Sequence, residues 1–176
     1  QAMQEELRRI HREIGGTFVF VTHDQGEALA LATRIAVMNS GRIEQLGAPE
    51  DIYLRPQTHF VASFIGEANL LKGERRNGQI GTASGIAFAE PGPDGPISLV
   101  VRPESVRRLT DIEQAEIAIA GTVEEAVFLG AHVRYVLVLP SGEKLRVQEP
   151  IEQPRAALGS MMRVGWSRSA QWIIAA

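Results

Sequence analysis

The chain has 176 residues, of which 44% are hydrophobic and 22% are charged, with a formal net charge of -3 at pH 7. This balance excludes a global electrostatic attraction for nucleic acid or for an anionic membrane surface. The chain has no cysteine, which excludes disulfides, thiolate metal sites and cysteine nucleophiles and fits a reducing compartment such as the cytoplasm.

The first residues follow a helical pattern directly from Gln1. Apolar side chains recur at steps of four, three and four, at Met3, Leu7, Ile10 and Ile14, before two glycines. This spacing predicts a helix that ends at residue 14. Because the chain opens within a helical pattern and not on Met, we expect the natural polypeptide to begin upstream.

Residues 17–22 (TFVFVT) are β-branched, aromatic and nearly all apolar. This composition predicts a strand that is buried on both faces of a sheet. His23 and Asp24 follow it directly, and Asp24 with Glu27 has the spacing of a helix capping box. A helix, a buried strand and a second helix in this order predict an α/β arrangement.

The next elements are predicted by turn and cap residues. Residues 34–38 and 42–46 read as two short strands, because the Asn-Ser-Gly between them suits a tight hairpin turn. Pro49 suits the first turn of a short helix that runs to Leu54. Thr58 can cap a further helix, which Gly66 ends.

The pattern of apolar residues changes near residue 66. Before it they recur mostly at helical spacing, and after it they form short runs broken by Gly and Pro. We therefore expect two domains, at residues 1–66 and 67–176. In the second, the expected strands are residues 97–101, 121–129, 132–139, 144–147, 161–166 and 171–174, and residues 90–96 (EPGPDGP) are expected to form a loop. This pattern is typical of a small all-β barrel of the oligonucleotide/oligosaccharide-binding (OB) type.

His23 is the candidate for chemistry. It follows a predicted buried strand and precedes a helix, a position at which α/β folds bind ligands. The same position also suits a structural histidine that is satisfied by backbone groups. The geometry by itself leaves both interpretations open.

The residues around His23 resemble the switch-histidine region of ABC transporter ATPases, through residues 21–25 (VTHDQ) and 27–29 (EAL). The resemblance continues into importer ATPases for sugars, polyamines and ferric iron, at residues 34–38, 41–45, 47–49, 52–53, 56, 60–62 and 64–70. Residues 101–104 (VRPE), 121–123 (GTV) and 128–130 (FLG) resemble the transport-associated β-domain that follows the ATPase in that family. The chain is thus identified as resembling the C-terminal part of such a subunit, an α/β remnant of the P-loop ATPase domain followed by the β-domain.

The resemblance implies that His23 contacts the γ-phosphate of ATP and the attacking water, with Mg²⁺-ATP held by the intact subunit. It also implies transmembrane permease subunits, a solute-binding protein, a homodimer formed through the β-domain, and a peripheral place on the cytoplasmic face of the membrane. Residues 64–69 (FIGEAN) favour polyamine or iron over sugar as the solute. The chain has no G-x-x-x-x-G-K-[ST] loop, so we expect it to be inactive alone and to bind no nucleotide.

Two other functions fit the β-domain. An OB barrel can bind single-stranded nucleic acid, but only 6% of the residues are aromatic, and Phe128, Tyr135, Trp166 and Trp172 fit core positions. The domain could instead sense a small ligand or oxyanion through Arg102, Arg107 or Arg108. The remaining histidines, His11, His59 and His132, have no neighbours at metal-ligand spacing, and we expect no metal site.

Overall fold

A computed structural model describes residues 2–175, and leaves the side chains of residues 2–5 and 8 outside the description. The chain divides into two compact units, with the boundary between Gly66 and Glu67.

Within residues 2–66, the first unit contains four helices and one β-hairpin. Its elements are α1 (Ala2–Ile14), α2 (Gln25–Leu31), β1 (Ile35–Asn39), β2 (Arg42–Gly47), α3 (Pro49–Leu54) and α4 (His59–Phe64). All six elements lie where the sequence predicts them, and most of their ends differ from the predicted ends by no more than two residues. The turn between β1 and β2 has positive φ at Ser40 (48°) and Gly41 (77°), as expected for the hairpin turn that follows the right-handed twist of the strands.

The core of this unit lies between the hairpin and the last two helices. It consists of the buried side chains of Ile35, Val37, Ile52, Val61 and Ile65. Thr58 caps α4, since its hydroxyl accepts a hydrogen bond from the Val61 backbone N–H at 3.2 Å, which is the cap that the sequence predicts.

The predicted buried strand at residues 17–22 is wrong for this structure. These residues have no regular secondary structure, and the exposed fraction is 89% for Val19 and 91% for Val21. A strand buried on both faces needs a partner strand for its backbone groups and packed layers for its side chains. Among residues 2–175 the only sheet of the first unit is the hairpin itself, so the helix-flanked parallel sheet of a P-loop ATPase is not present here.

The second unit is all-β. One sheet has the order β10-β9-β8-β11-β7 and the other the order β12-β6-β3-β4-β5, with every described pair antiparallel. The strands are β3 (Asn69–Arg76), β4 (Gln79–Thr82), β5 (Ala87–Ala89), β6 (Gly95–Val101), β7 (Arg107–Arg108), β8 (Ile117–Phe128), β9 (His132–Val138), β10 (Lys144–Pro150), β11 (Met161–Trp166) and β12 (Gln171–Ala175), with short 3₁₀ turns at Pro103–Ser105 and Arg168–Ala170.

Six of these strands, β6 and β8 to β12, confirm the strands expected from the sequence. Strands β3, β4, β5 and β7 were not predicted. The predicted loop at residues 90–96 is two residues too long, because Gly95 and Pro96 begin β6. Proline is tolerated at the beginning of a strand, where the missing N–H breaks few ladder bonds.

One continuous core fills the second unit, and its largest fully buried side chains are Trp166 and Tyr135. Asn69 joins the two sheets, although its side chain is polar and the residue is only 1% exposed. Its amide donates to the Arg146 carbonyl at 2.8 Å and accepts from the Arg146 N–H at 2.7 Å. Both polar atoms of this buried amide are thereby satisfied, as burial requires.

Candidate functional site

His23 lies in the segment that leads into α2, immediately before the helix cap. The residue is exposed, and no hydrogen bond joins its ring to any other residue in the part of the chain that the structure describes. The imidazole is therefore accessible to a ligand, while the residues on both sides of it are fixed by hydrogen bonds.

Those hydrogen bonds come from Thr22, Asp24 and Glu27. The Asp24 carboxylate accepts from the Glu27 backbone N–H at 3.0 Å and so caps α2. The Thr22 hydroxyl accepts from the Asp24 N–H at 3.0 Å and donates to the Glu27 carboxylate at 2.8 Å. The prediction that Asp24 and Glu27 act as helix caps is confirmed for Asp24, whereas Glu27 bonds to Thr22 and not to the Asp24 N–H.

Gln25 ties the beginning of α2 to the end of α4, since its side-chain oxygen accepts from the Gly66 N–H at 2.7 Å. Ala28 and Leu29 of α2 pack against the core of the first unit. Sequence reasoning did not assign a role to Thr22 or Gln25. A threonine two residues before a capping aspartate is a usable signal for such a turn, whereas the contact of Gln25 with residue 66 spans 41 positions and has no local signal.

No group of three or more His, Asp or Glu side chains that could hold a metal ion occurs among the residues that the structure describes. His11 bonds to the Gly16 carbonyl at 3.2 Å and packs edge-on against Phe18, with ring centroids 5.2 Å apart. The ring of His11 is therefore engaged within the first unit, whereas the ring of His23 is open to a ligand.

The three arginines proposed as anion contacts in the β-domain already have partners. Arg102 is 4% exposed and donates to the Glu67 carbonyl at 3.0 Å. Arg107 pairs with Glu113 at 3.0 Å, and Arg108 pairs with Glu149 at 2.5 Å. Burial raises the pKa of the Glu149 carboxyl, and the charge and hydrogen bonds of Arg108 oppose that rise. The structure therefore does not support an anion site built on these three residues.

The aromatic residues of the second unit are divided between core and surface. Tyr135 and Trp166 are each 1% exposed, as the core interpretation predicts, whereas Phe128 is 56% exposed and Trp172 is 38% exposed. The Phe128 ring lies 5.2 Å from the guanidinium of Arg155. An aromatic ring that is covered by an arginine in this way does not make the row of exposed aromatics in a basic groove that single-strand binding uses.

Across residues 2–175, no helix has both the length and the apolar character that crossing a membrane requires.

The second unit matches a protein-family model, and the whole chain matches longer proteins. The family model is that of the TOBE domain, which matches residues 99–174. A spermidine/putrescine import ATP-binding protein (PotA) of Thermobifida fusca is 48% identical over 147 residues, which cover 78% of this chain and 38% of that protein. The protein of the same name (PotA 2) in Pseudomonas aeruginosa is 39% identical and covers 98% of this chain and 50% of its own length.

A third relative, an uncharacterized ABC transporter ATP-binding protein of Escherichia coli (YdcT), is 39% identical over 96% of this chain and 47% of its own length. The chain spans half or less of the length of these curated relatives.

A solved structure of the cytoplasmic molybdate-binding protein ModG resembles the second unit in fold. The TM-score is 0.50 at 16% sequence identity, and the match covers 61% of this chain and 96% of that one. At this identity the likeness concerns the fold alone, and it supports the OB-like all-β architecture. The family model and the relatives named above, and not this likeness in fold, identify the chain: it carries a TOBE domain at residues 99–174 and is related over most of its length to ABC importer ATP-binding proteins.

Proposed function

We propose that the intact protein is the ATP-hydrolysing subunit of an ABC importer, in which ATP hydrolysis is coupled to solute uptake. The observation that carries this proposal is the similarity of nearly the whole chain, including the His23 segment, to import ATP-binding proteins. The activity belongs to the complete subunit, in which His23 contacts ATP and a phosphate-binding loop that this chain lacks holds the phosphates with Mg²⁺.

In this function His23 donates a hydrogen bond to the γ-phosphate and orients the attacking water. The chemistry suits an imidazole, because an N–H directed at the phosphoryl oxygens stabilises the charge that is redistributed during transfer. The exposed ring and its fixed flanking residues support this role. Thr22, Asp24 and Gln25 then act as positioning residues, since they hold the backbone on both sides of His23.

We propose a polyamine as the solute. The supporting observation is that relatives at 39–48% identity are named spermidine/putrescine import ATP-binding proteins. In an importer of this kind, membrane permease subunits and a separate solute-binding protein would be the partners, and the subunit would lie peripherally on the cytoplasmic face of the membrane.

The β-domain would regulate the importer by pairing with its copy in a second subunit. Three consecutive apolar residues at the end of β8 and in the turn after it, Val127, Phe128 and Leu129, are 38%, 56% and 43% exposed. A run of half-exposed apolar side chains is a feature of association surfaces. This surface is the one we assign to the homodimer.

The test is His23→Ala in the full-length subunit, assembled with its permease in proteoliposomes. We expect ATP binding to be retained, while ATP turnover and uptake of labelled spermidine fall by at least about a hundredfold, the loss typical of a removed transition-state donor. His59→Ala is the matched control, because His59 is also an exposed histidine of the first unit, and it should leave turnover unchanged.

Asp24→Asn tests whether the Asp24 carboxylate is needed only as the cap of α2. An asparagine oxygen can still accept the hydrogen bond from the Glu27 backbone N–H, so turnover should persist if Asp24 only caps α2.

Undiminished turnover in His23→Ala would remove His23 from the mechanism. Uptake of ferric iron or a sugar in place of spermidine would refute the polyamine assignment while leaving the ATPase assignment intact.

A further inference from the structure

A cleft in the second unit is lined by side chains of which two, Arg75 and Gln171, have N–H groups without a protein acceptor. It is lined by Arg75, Glu90, Arg168, Ser169, Gln171 and Trp172. Arg75 lies on β3, and the other residues lie at the end of β5, in the turn before β12, and at the beginning of β12. None of these residues has a part in the function proposed above.

Arg75 is a half-buried cation without a carboxylate partner. No acidic oxygen of the described residues lies within 4.0 Å of its guanidinium, and its one hydrogen bond runs from Nη1 to the Pro93 carbonyl at 3.3 Å. Its Nε is buried and has no hydrogen-bond partner. An arginine carries five N–H donors in a fixed planar fork, so most of the donors of Arg75 remain unused.

The loop before β6 holds this guanidinium in place. A Cβ added to Gly92 would lie 2.3 Å from Nη1 and 2.7 Å from Cζ of Arg75, so the bare glycine backbone lies directly against the guanidinium. The arginine is therefore packed into the cleft and does not extend freely into solvent. Such packing removes side-chain freedom before any ligand arrives, which lowers the entropic cost of binding.

The other charges of the cleft cancel. Arg168 forms an ion pair with Glu90 and donates to the Ala89 carbonyl at 2.7 Å. The charge that remains uncompensated among the lining residues is the positive charge of Arg75. A ligand attracted to this cleft is accordingly an anion.

Gln171 adds neutral donors to the same cleft. Its side-chain oxygen accepts the Trp166 indole N–H at 2.9 Å, which fixes the amide so that its NH₂ group is the free end. No acceptor for that NH₂ group occurs among the described residues. The unused groups of Arg75 and Gln171 are all donors, and their natural complement is a ligand that only accepts.

We propose that this cleft is a binding site for a small oxygen anion, either a carboxylate or a tetrahedral oxyanion, with Arg75 as its main contact. The site differs from an anion site at Arg102, Arg107 or Arg108, whose guanidiniums have protein partners. It lies within the second unit and does not depend on the ATPase function.

The experiment is a titration of the 176-residue chain, followed by NMR at the Arg75 Nε–H and the Gln171 side-chain NH₂ signals. Phosphate, sulfate and succinate are added separately at about 0.15 M ionic strength, at which diffuse surface attraction is screened. We expect saturable, single-site shifts of both signals with at least one probe. The probe that binds most tightly distinguishes a tetrahedral oxyanion from a carboxylate.

Two variants and one control make the result specific. Arg75→Gln should weaken binding by about tenfold or more, as expected for loss of a charge-assisted hydrogen bond. Gln171→Glu keeps an oxygen for the Trp166 N–H but adds a negative charge to the cleft, and should weaken binding similarly. Arg76→Gln is the matched control, because Arg76 is the adjacent arginine, is 76% exposed and pairs with Glu74.

Three outcomes would overturn the proposal. They are the absence of saturable shifts with all three probes, an equal loss of binding in Arg76→Gln, and unchanged binding in Arg75→Gln. The NMR spectra of each variant also show whether it is folded, and Gln171→Glu provides an independent test should Arg75→Gln unfold.

Discussion

Replacing Arg108 by alanine would leave a buried carboxylate without its charge partner. The Glu149 side chain is 4% exposed and accepts two hydrogen bonds from Arg108, from Nε at 3.1 Å and from Nη2 at 2.5 Å. No other side-chain hydrogen bond to this carboxylate occurs in the described part of the chain. Arg108 also donates to the Pro154 carbonyl at 2.9 Å, so the variant loses a second anchor.

Removing one partner of a buried ion pair costs more than the pair contributes, because the remaining charge stays desolvated, and losses of about 3–5 kcal/mol are usual. The Arg108 side chain is 24% exposed, so water can reach the carboxylate once the guanidinium is gone. We therefore expect the free energy of unfolding to fall by about 2–3 kcal/mol at neutral pH, somewhat below that range.

The loss should depend on pH in a defined direction. Burial raises the pKa of the Glu149 carboxyl above its usual value, so its protonated form favours the folded state. That contribution is fully present below the unfolded pKa and is lost as the pH rises through the folded pKa. Replacing Arg108 by alanine removes the charge and the side-chain hydrogen bonds that lower this pKa, and leaves only the backbone N–H of residue 108 as a donor, so the pKa rises further. The deficit of the variant should thus be small near about pH 4 and complete only well above it.

Urea unfolding followed by tryptophan fluorescence measures the free energy of unfolding of the second unit, because both tryptophans of the chain, Trp166 and Trp172, lie in that unit. Arg107→Ala is the control, since its partner Glu113 is exposed and such pairs contribute less than about 1 kcal/mol. The double variant Arg108→Met/Glu149→Leu should recover most of the loss. A loss of stability in Arg108→Ala that does not depend on pH would contradict the role given to the Glu149 carboxylate. A double variant as unstable as Arg108→Ala would contradict it as well.

Three further predictions concern packing, catalysis and assembly. Gly165→Ala should destabilise the second unit by about 1–3 kcal/mol, because a Cβ at this position would lie 2.6 Å from the Ile117 carbonyl oxygen. Gly81→Ala is the control and should be tolerated, because no atom lies within 4 Å of a Cβ built there. Equal melting temperatures of the two variants would contradict this prediction. The purified 176-residue chain should show no steady ATP turnover, and a turnover that survives repurification would disprove that expectation. Sedimentation of the same chain should detect a dimer that Phe128→Asp dissociates, and a wild-type monomer at all concentrations would exclude the assigned surface.

The first unit shows which features local sequence can predict. The helix caps and the turn at Ser40 and Gly41 follow from residues close in sequence, and the structure confirms them. A strand at residues 17–22 would need a partner strand, and residues 2–66 form no sheet besides the β1–β2 hairpin. Apolar β-branched composition indicates how a segment could pair, but a strand forms only where a partner strand is present.

Strand β3, which the sequence did not predict, has polar or small residues at most of its inward positions. In β3, Asn69, Leu71, Gly73 and Arg75 alternate on one face, and only Leu71 is apolar with a side chain to bury. The period-2 hydrophobic signal is therefore missing. Asn69 is buried because it bonds to Arg146, which lies 77 positions away. Such pairings are determined by the tertiary fold and leave no trace in a local window.

Tertiary contacts also decide which arginines are available to bind a ligand, so the arginines could not be ranked from the sequence. Arg108 and Arg75 are chemically identical, and the sequence suggested Arg108 as an anion contact while passing over Arg75. The two arginines differ in their distant partners. The charge of Arg108 is neutralised by Glu149, which lies 41 positions away in the sequence. No acidic residue of the described chain does so for Arg75. The availability of an arginine for a ligand depends on whether folding has already given it a carboxylate.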